Sequence, residues 1–146
     1  MPFVWSDNLE LGIDEFDEQH RELFRRGERL YHALLHGQPA GADLMLVSFR
    51  DFVLSHFEFE ERWMRQTDFP SLPAHCEAHR DFADRLHRVT GEYRRQGPTA
   101  EVAETLRVWL EAWLRDHICG DDRALGQWAT SHTAAPGPAS APARHA

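Results

Sequence analysis

The sequence has 146 residues, 42% of them hydrophobic, which is enough for one compact domain with a buried core. Its 24 acidic residues outnumber its 16 basic ones, and the resulting net charge of −8 with neutral histidines disfavours nucleic acid as a partner. Irregularly spaced cysteines, no signal-peptide pattern and no membrane-length apolar run predict a cytoplasmic protein without disulfides or a membrane span.

The first predicted element is an amino-terminal arm. Residues 1–12 are irregular but rich in apolar side chains, so we expect the arm to pack onto the body of the protein. Apolar positions at helical spacing then predict a first helix from about Ile13 to Leu35. Gly37, Pro39 and Gly41 should end it.

Three further helices show the same periodicity. Asp43 can cap a second helix that runs to about Gln66, and the third extends from His75 to about Arg95. After the break at Gly97 and Pro98, the pattern predicts a fourth helix over residues 99–118.

Four long amphipathic helices with short links predict an all-α fold, an antiparallel up-down four-helix bundle with an N-terminal arm. We assign residues 1–128 to this bundle. Residues 129–146 are rich in alanine and proline and lack apolar periodicity, so we expect a disordered C-terminal tail.

The inward stripe of each helix carries imidazole or carboxylate groups. The residues are His20, His56, Glu60, His75, His79, His117 and either Asp121 or Asp122. Such groups are costly to bury unless they pair or coordinate. Five imidazoles and two carboxylates suit two first-row metal ions, because imidazole binds iron, copper or zinc and carboxylates can bridge two ions. Two octahedral ions that share two carboxylates and one oxygen bridge have six terminal positions, so five histidines would leave one for a small ligand.

Four motifs together resemble those of a known family. The run W-S-D-N-L-E-L-G-I-D-E-F-D-E-Q-H-R-E-L-F is followed by H-F-E-F-E-E-R-W-M, then H-C-E-A-H, then W-L-R-D-H-I-C-G-D-D. In this order and spacing they resemble the bacterial hemerythrins, from roughly Trp5 to Leu125.

This resemblance implies a non-haem di-iron centre with an oxo or hydroxo bridge. His75, His79 and His117 would bind one iron, and His20 and His56 the other. Glu60 and Asp122 would bridge the pair, and the second iron would hold the open position for dioxygen. Four apolar residues match positions around that site in the family and would keep water out: Leu23, Phe57, Trp113 and Ile118.

For the fourth helix, ideal helical geometry and the family pattern select different aspartates as the ligand. Asp121 lies four residues after His117 and would share its face, whereas Asp122 lies about 140° away on a 3.6-residue turn. The family spacing, a histidine followed five residues later by an aspartate, selects Asp122. A locally widened π-type turn, which Gly120 could permit, would reconcile the two.

The remaining polar residues have simpler interpretations. We expect Glu58, Glu61 and Asp121 to be solvated or paired with arginine, and Phe57 and Trp113 to serve the core more than any gate. Cys76 and Cys119 lie near proposed ligands, but a free cysteine is usually only a small hydrophobic residue. Five histidines belong to no motif: His32, His36, His87, His132 and His145.

The function that the resemblance implies is reversible dioxygen binding for storage, delivery or sensing, without catalysis. We expect a monomer, with an oxygen-consuming enzyme as recipient. The alternative is a di-iron oxidase, a peroxidase or a nitric-oxide-handling protein. Ferritin-like oxidases carry a Glu-x-x-His repeat that this sequence lacks, and the absence of H-E-x-x-H disfavours a zinc hydrolase. A metal-free bundle would leave the inward histidines and Glu60 unexplained.

Overall fold

Four long helices form the body of the protein in the computed structural model, which describes residues 3–132. They are α1 (Asp14–Leu35), α2 (Pro39–Gln66), α3 (Leu72–Gln96) and α4 (Ala100–His117). Each helix contacts the next along the chain, and α1 also contacts α4, which closes the bundle. The predicted all-α four-helix bundle is therefore confirmed. Within residues 3–132, no helix combines the length and apolarity needed to cross a bilayer.

The second and third helices begin earlier than the sequence pattern predicted. α2 begins at Pro39 and α3 at Leu72, each with a proline in its first turn. Proline fits there because the first helical N–H groups have no partner within the helix. The prediction of a helix start at Asp43 was therefore wrong. Asp43 lies inside α2, where its carboxylate accepts a hydrogen bond of 2.6 Å from the Tyr93 hydroxyl.

The amino-terminal arm packs onto the bundle, as predicted. Phe3 and Leu9 are buried, and a short 3-10 turn spans Asp7–Leu9. The carboxylate of Asp17 accepts hydrogen bonds from the backbone N–H groups of Leu11 and Gly12, at 2.7 and 3.1 Å. These bonds hold the arm against the start of α1.

Beyond α4 the helix continues through a π-helical turn, Ile118–Asp122, into α5, Arg123–Ser131. Leu125 and Ala129 of α5 are fully buried. The packed part of the chain thus extends past the expected boundary at residue 128. The remainder of the expected tail, residues 133–146, lies outside the described residues.

Two apolar clusters divide the core along the bundle axis. The smaller one gathers residues near the start of α1 and the ends of α2 and α5, among them Phe16, Phe59 and Met64. The larger one fills the rest of the bundle and includes Phe49 and Leu106. On every long helix the buried polar residues fall where the chain passes from one cluster to the other. A polar layer therefore crosses an otherwise apolar core.

Candidate metal centre

All the side chains that the sequence singled out as ligands are buried and meet in this polar layer. They form two overlapping groups in which the ligand atoms lie within 4.8 Å of one another. One group is Glu60, His75, His79, His117 and Asp122, and the other is His20, His56, Glu60 and Asp122. The two carboxylates belong to both groups.

Glu60 divides its two oxygens between the groups. Its Oε2 lies 2.9 Å from Nε2 of His56 and 3.3 Å from Nε2 of His20. Its Oε1 lies 3.1 Å from Nε2 of His79 and 3.4 Å from Nε2 of His75. One oxygen for each set of imidazoles is the orientation of a bridging carboxylate.

Asp122 divides its oxygens in the same way. Its Oδ2 lies 3.0 Å from Nε2 of His20, whereas its Oδ1 lies 3.0 Å from Nε2 of His117 and 3.2 Å from Nε2 of His75. The two carboxylates therefore approach the same pair of imidazole groups from α2 and from the π-helical turn.

The π-helical turn at Ile118–Asp122 brings Asp122 inward. A π turn takes one more residue than an α turn, so the residue five positions after His117 returns to its face. The Asp122 side chain is 1% exposed and that of Asp121 is 54% exposed. The predicted widened turn is confirmed. Glycine is not needed there for space, because a Cβ on Gly120 would meet no atom within 4 Å.

Several atoms of this layer lack ordinary hydrogen bonds despite their close neighbours. Within residues 3–132, both oxygens of Asp122 and Nε2 of His75 are buried and make no hydrogen bond. Nitrogens and oxygens of neighbouring side chains lie 3.0–3.4 Å from these atoms without forming hydrogen bonds to them. Metal ligands have this arrangement, and a set of imidazoles and carboxylates fits first-row transition ions. The residues present therefore fit a two-metal site.

The charges of the layer are strongly coupled. Burial alone would lower the pKa values of His20 and His75, but the carboxylates of Asp122 and Glu60 outweigh it and raise each pKa to about 9. At His117, the carboxylates of Asp122, Asp121 and Glu60 likewise outweigh burial and raise the pKa to about 10. Burial lowers the pKa of His56.

The carboxylates show the opposite shift. Burial would raise the pKa of Glu60, but His56, His20 and His75 hold it well below its ordinary value. The pKa of Asp122 is likewise lowered by the imidazoles around it, against burial and the charge of Glu60. The two buried carboxylates thus remain anionic and require nearby positive charge, from protons or from metal ions.

An outer set of side chains contacts the ligand imidazoles at Nδ1, the ring nitrogen that faces away from the site. Glu61 Oε2 lies 2.8 Å from Nδ1 of His79, and Asp121 Oδ2 lies 3.0 Å from Nδ1 of His117. The expectation that these acids are solvated or paired with arginine was wrong for Glu61, whereas the Asp121 side chain is 54% exposed as expected and also contacts His117. For Asp121 the four-residue spacing to His117 was an available signal. Glu61 contacts a histidine of another helix, which no local pattern shows.

A third member of this outer set is Gln19 on α1, whose amide oxygen lies 2.7 Å from Nδ1 of His56. The sequence pattern does not reveal this contact, because a glutamine beside His20 has no distinctive spacing. Glu58, by contrast, is exposed and lies 4.0 Å from Arg62, which confirms its prediction as a surface residue.

The four apolar residues named above lie in the larger apolar cluster or against it. The ring of Phe57 stacks on His79, with centroids 3.8 Å apart, and that of Trp113 stacks on His117 at 4.3 Å. Leu23 and Ile118 are fully buried. Cys76 is half-buried and Cys119 is exposed, and neither belongs to the two ligand groups found among the described residues.

Comparisons with known proteins find similarity to the hemerythrins. A family model described as the hemerythrin HHE cation binding domain matches residues 11–129. A bacteriohemerythrin of Stenotrophomonas maltophilia is 35% identical over 130 residues, which cover 88% of this chain and 82% of that protein. A bacteriohemerythrin of Pseudomonas aeruginosa is 33% identical over 120 residues, 82% of this chain and 76% of that protein. A myohemerythrin of Riftia pachyptila is 28% identical over 121 residues, 83% of this chain and 88% of that protein.

Proposed function

The chain belongs to the hemerythrin family, and on that premise we propose that it binds dioxygen reversibly at a non-haem di-iron centre, for oxygen storage, delivery or sensing. The main support for this proposal is that Glu60 and Asp122 each divide their two oxygens between two groups of buried imidazoles. A site for a single ion would not need carboxylates that face both ways.

We assign seven side chains as iron ligands. His75, His79 and His117 would hold one iron, and His20 and His56 the other. Glu60 and Asp122 would bridge the pair beside an oxo or hydroxo group. When bound, the iron pair supplies the electrons that dioxygen takes up on capture and gives back on release.

The unequal number of histidines provides the binding position. Three imidazoles would complete the coordination of one iron. The other iron would have only the two imidazoles of His20 and His56, so one of its positions would be free for a small ligand.

The apolar residues Leu23, Phe57, Trp113 and Ile118 would exclude water from this position. An apolar shell around a metal site limits solvent access and so slows irreversible oxidation. The ring of Phe57 lies between the two sides, with its centroid 6.0 Å from that of His56 and 3.8 Å from that of His79, whereas Trp113 stacks on His117 of the three-histidine side.

A non-enzymatic role fits the donor set better than an oxidase, a peroxidase or a nitric-oxide-handling activity. Among residues 3–132, the two carboxylates of the ligand groups would both serve as bridges, so neither would be left for proton transfer to a substrate. We accordingly infer a carrier or store that acts as a cytoplasmic monomer and releases oxygen to an oxygen-consuming enzyme.

The decisive experiment combines metal content with the optical spectrum of the dithionite-reduced protein before and after air. Two irons per chain, with charge-transfer bands that appear in air and vanish when oxygen is removed, would support the proposal. Bands that decay within seconds while peroxide is released or a substrate is consumed would place the protein among enzymes instead. Glu60→Gln should abolish the bands, and Glu58→Gln, on the exposed face of the same helix, is the matched control.

A further inference from the structure

The two sides of the candidate centre differ in the side chains that contact Nδ1 of their histidines. On the three-histidine side, the carboxylates of Glu61 and Asp121 lie against Nδ1 of His79 and Nδ1 of His117. On the other side, Nδ1 of His56 contacts the neutral amide oxygen of Gln19. Nδ1 of His20 is buried and has no hydrogen-bond partner within residues 3–132.

The acids that do this lie next in sequence to the two bridging carboxylates. Glu60 faces the site and Glu61 reaches across to α3, while Asp122 faces the site and Asp121 reaches back to α4. One turn of α2 and one π turn thus each supply an inner and an outer carboxylate.

An outer carboxylate determines which nitrogen of the ring can bind a metal. A carboxylate accepts the proton of Nδ1, so the neutral ring presents its lone pair on Nε2. Nε2 of His79 and Nε2 of His117 lie only 3.2 Å apart and both face the site. Once both rings are neutral, two lone pairs so close repel each other unless a cation lies beside them, so this tautomer prepares the pair for a metal ion.

We infer that Glu61 and Asp121 are positioning residues that fix His79 and His117 as Nε2 donors and make the three-histidine side the tighter of the two metal sites. The inference rests on the proposed two-metal centre. Gln19 orients His56 without adding negative charge, so the His20 and His56 side binds its ion more weakly.

The two acids should not contribute equally. The Glu61 side chain is 25% exposed and that of Asp121 is 54% exposed. Solvent screens a charge more strongly when the group is more exposed. Removal of the Glu61 charge should therefore weaken metal binding more than removal of the Asp121 charge.

Zinc tests the difference in affinity between the two metal sites directly, because it binds to the same donors without oxygen chemistry. In nitrogen NMR spectra of the metal-free protein, the first equivalent of Zn²⁺ should shift the Nε2 resonances of His75, His79 and His117 before those of His20 and His56. Filling of the two-histidine side first would overturn the inference. If the wild-type chain bound no metal at all, the proposed function would fail as well.

The affinity of each site can then be followed by competition with a chelating dye. Glu61→Gln should weaken the tighter site by about 10- to 100-fold, and Asp121→Asn by less, with the weaker site unchanged. The Nδ1 proton resonances of His79 and His117 should move in the corresponding variants. Glu58→Gln and Asp116→Asn, which replace exposed acids on the same helices, are the controls.

A converse variant keeps the test independent of simple loss of stability. Gln19→Glu would place a carboxylate behind His56 and should tighten the weaker site. Wild-type affinities in Glu61→Gln, Asp121→Asn and Gln19→Glu, with two metal ions still bound, would refute the positioning role and leave the proposed function intact.

Discussion

The carboxylates of Asp121 and Asp122 are consecutive in the chain yet lie against opposite nitrogens of one imidazole. Asp121 is 3.0 Å from Nδ1 of His117, and Asp122 is 3.0 Å from its Nε2. The π-helical turn makes this possible, because it rotates the two side chains to the outer and inner sides of the ring. Adjacent residues of the same type therefore have different roles.

The first prediction separates these roles by substitution. Asp122→Ala should lose iron, because it removes a carboxylate that faces both groups of imidazoles and leaves buried histidines without their counter-charge. Asp121→Ala should retain two irons at saturating iron, although with weaker affinity. Iron analysis after gel filtration distinguishes the two. Retained iron in Asp122→Ala together with its loss in Asp121→Ala would reverse the assignment.

The second prediction concerns Gly120, the glycine of the π turn. A Cβ there would meet no atom within 4 Å, and the backbone is not in the left-handed region. Gly120→Ala should therefore stabilise the protein by about 0.4–1 kcal/mol, because alanine restricts the unfolded chain. Urea unfolding of the iron-loaded protein measures the change. Loss of iron from this variant would mean that the turn itself requires glycine.

The ligands within α2 and α3 could be predicted because their spacing matches the helix. His56 and Glu60, like His75 and His79, are four residues apart, which places each pair on one face. Asp122 could not be chosen in this way, since five residues exceed an α turn. The family pattern selected it, and the π turn explains physically why that pattern holds.

The contacts of Glu61 and Gln19 with ligand histidines could not be predicted from the sequence, for a different reason. Glu61 and Gln19 lie one position from an inward ligand, where helical periodicity predicts a surface role. Each contacts a histidine of another helix, and the distance between helices is set by packing that no single segment encodes. The start of α2 was misjudged because Pro39 was taken as a helix breaker, although a proline in the first turn favours a helix start.

The third prediction concerns pH and the metal-free protein. His20 and His75 have pKa values of about 9 and His117 of about 10, against an ordinary value of 6.5. The folded chain thus binds these protons more tightly than the unfolded chain does. Their stabilisation is fully present below pH 6.5 and is lost as the pH rises through about 9 to 10.

Melting temperatures of the chelator-treated protein between pH 6.5 and 10 test this expectation. They should fall over that interval, whereas those of the iron-loaded protein should fall less, because the metal replaces the protons at these imidazoles. A metal-free profile without this decline would show that the carboxylates do not hold the histidines protonated.

The last prediction concerns the aromatic ring that stacks on His79. Phe57→Leu keeps the site apolar but removes the flat contact with the imidazole, so autoxidation of the oxygenated protein should accelerate. The smaller leucine leaves part of the space of the ring unfilled, so the substitution should cost about 1–2 kcal/mol of stability. The decay of the oxygenated spectrum measures the rate.

Phe49→Leu is the matched control, because Phe49 is buried in the same apolar cluster but lies two helical turns earlier on α2. It should lower the melting temperature by a similar amount without changing the autoxidation rate. Equal acceleration in both variants would attribute the effect to a loosened core. Acceleration in Phe57→Leu alone would assign water exclusion to the ring beside the ligand.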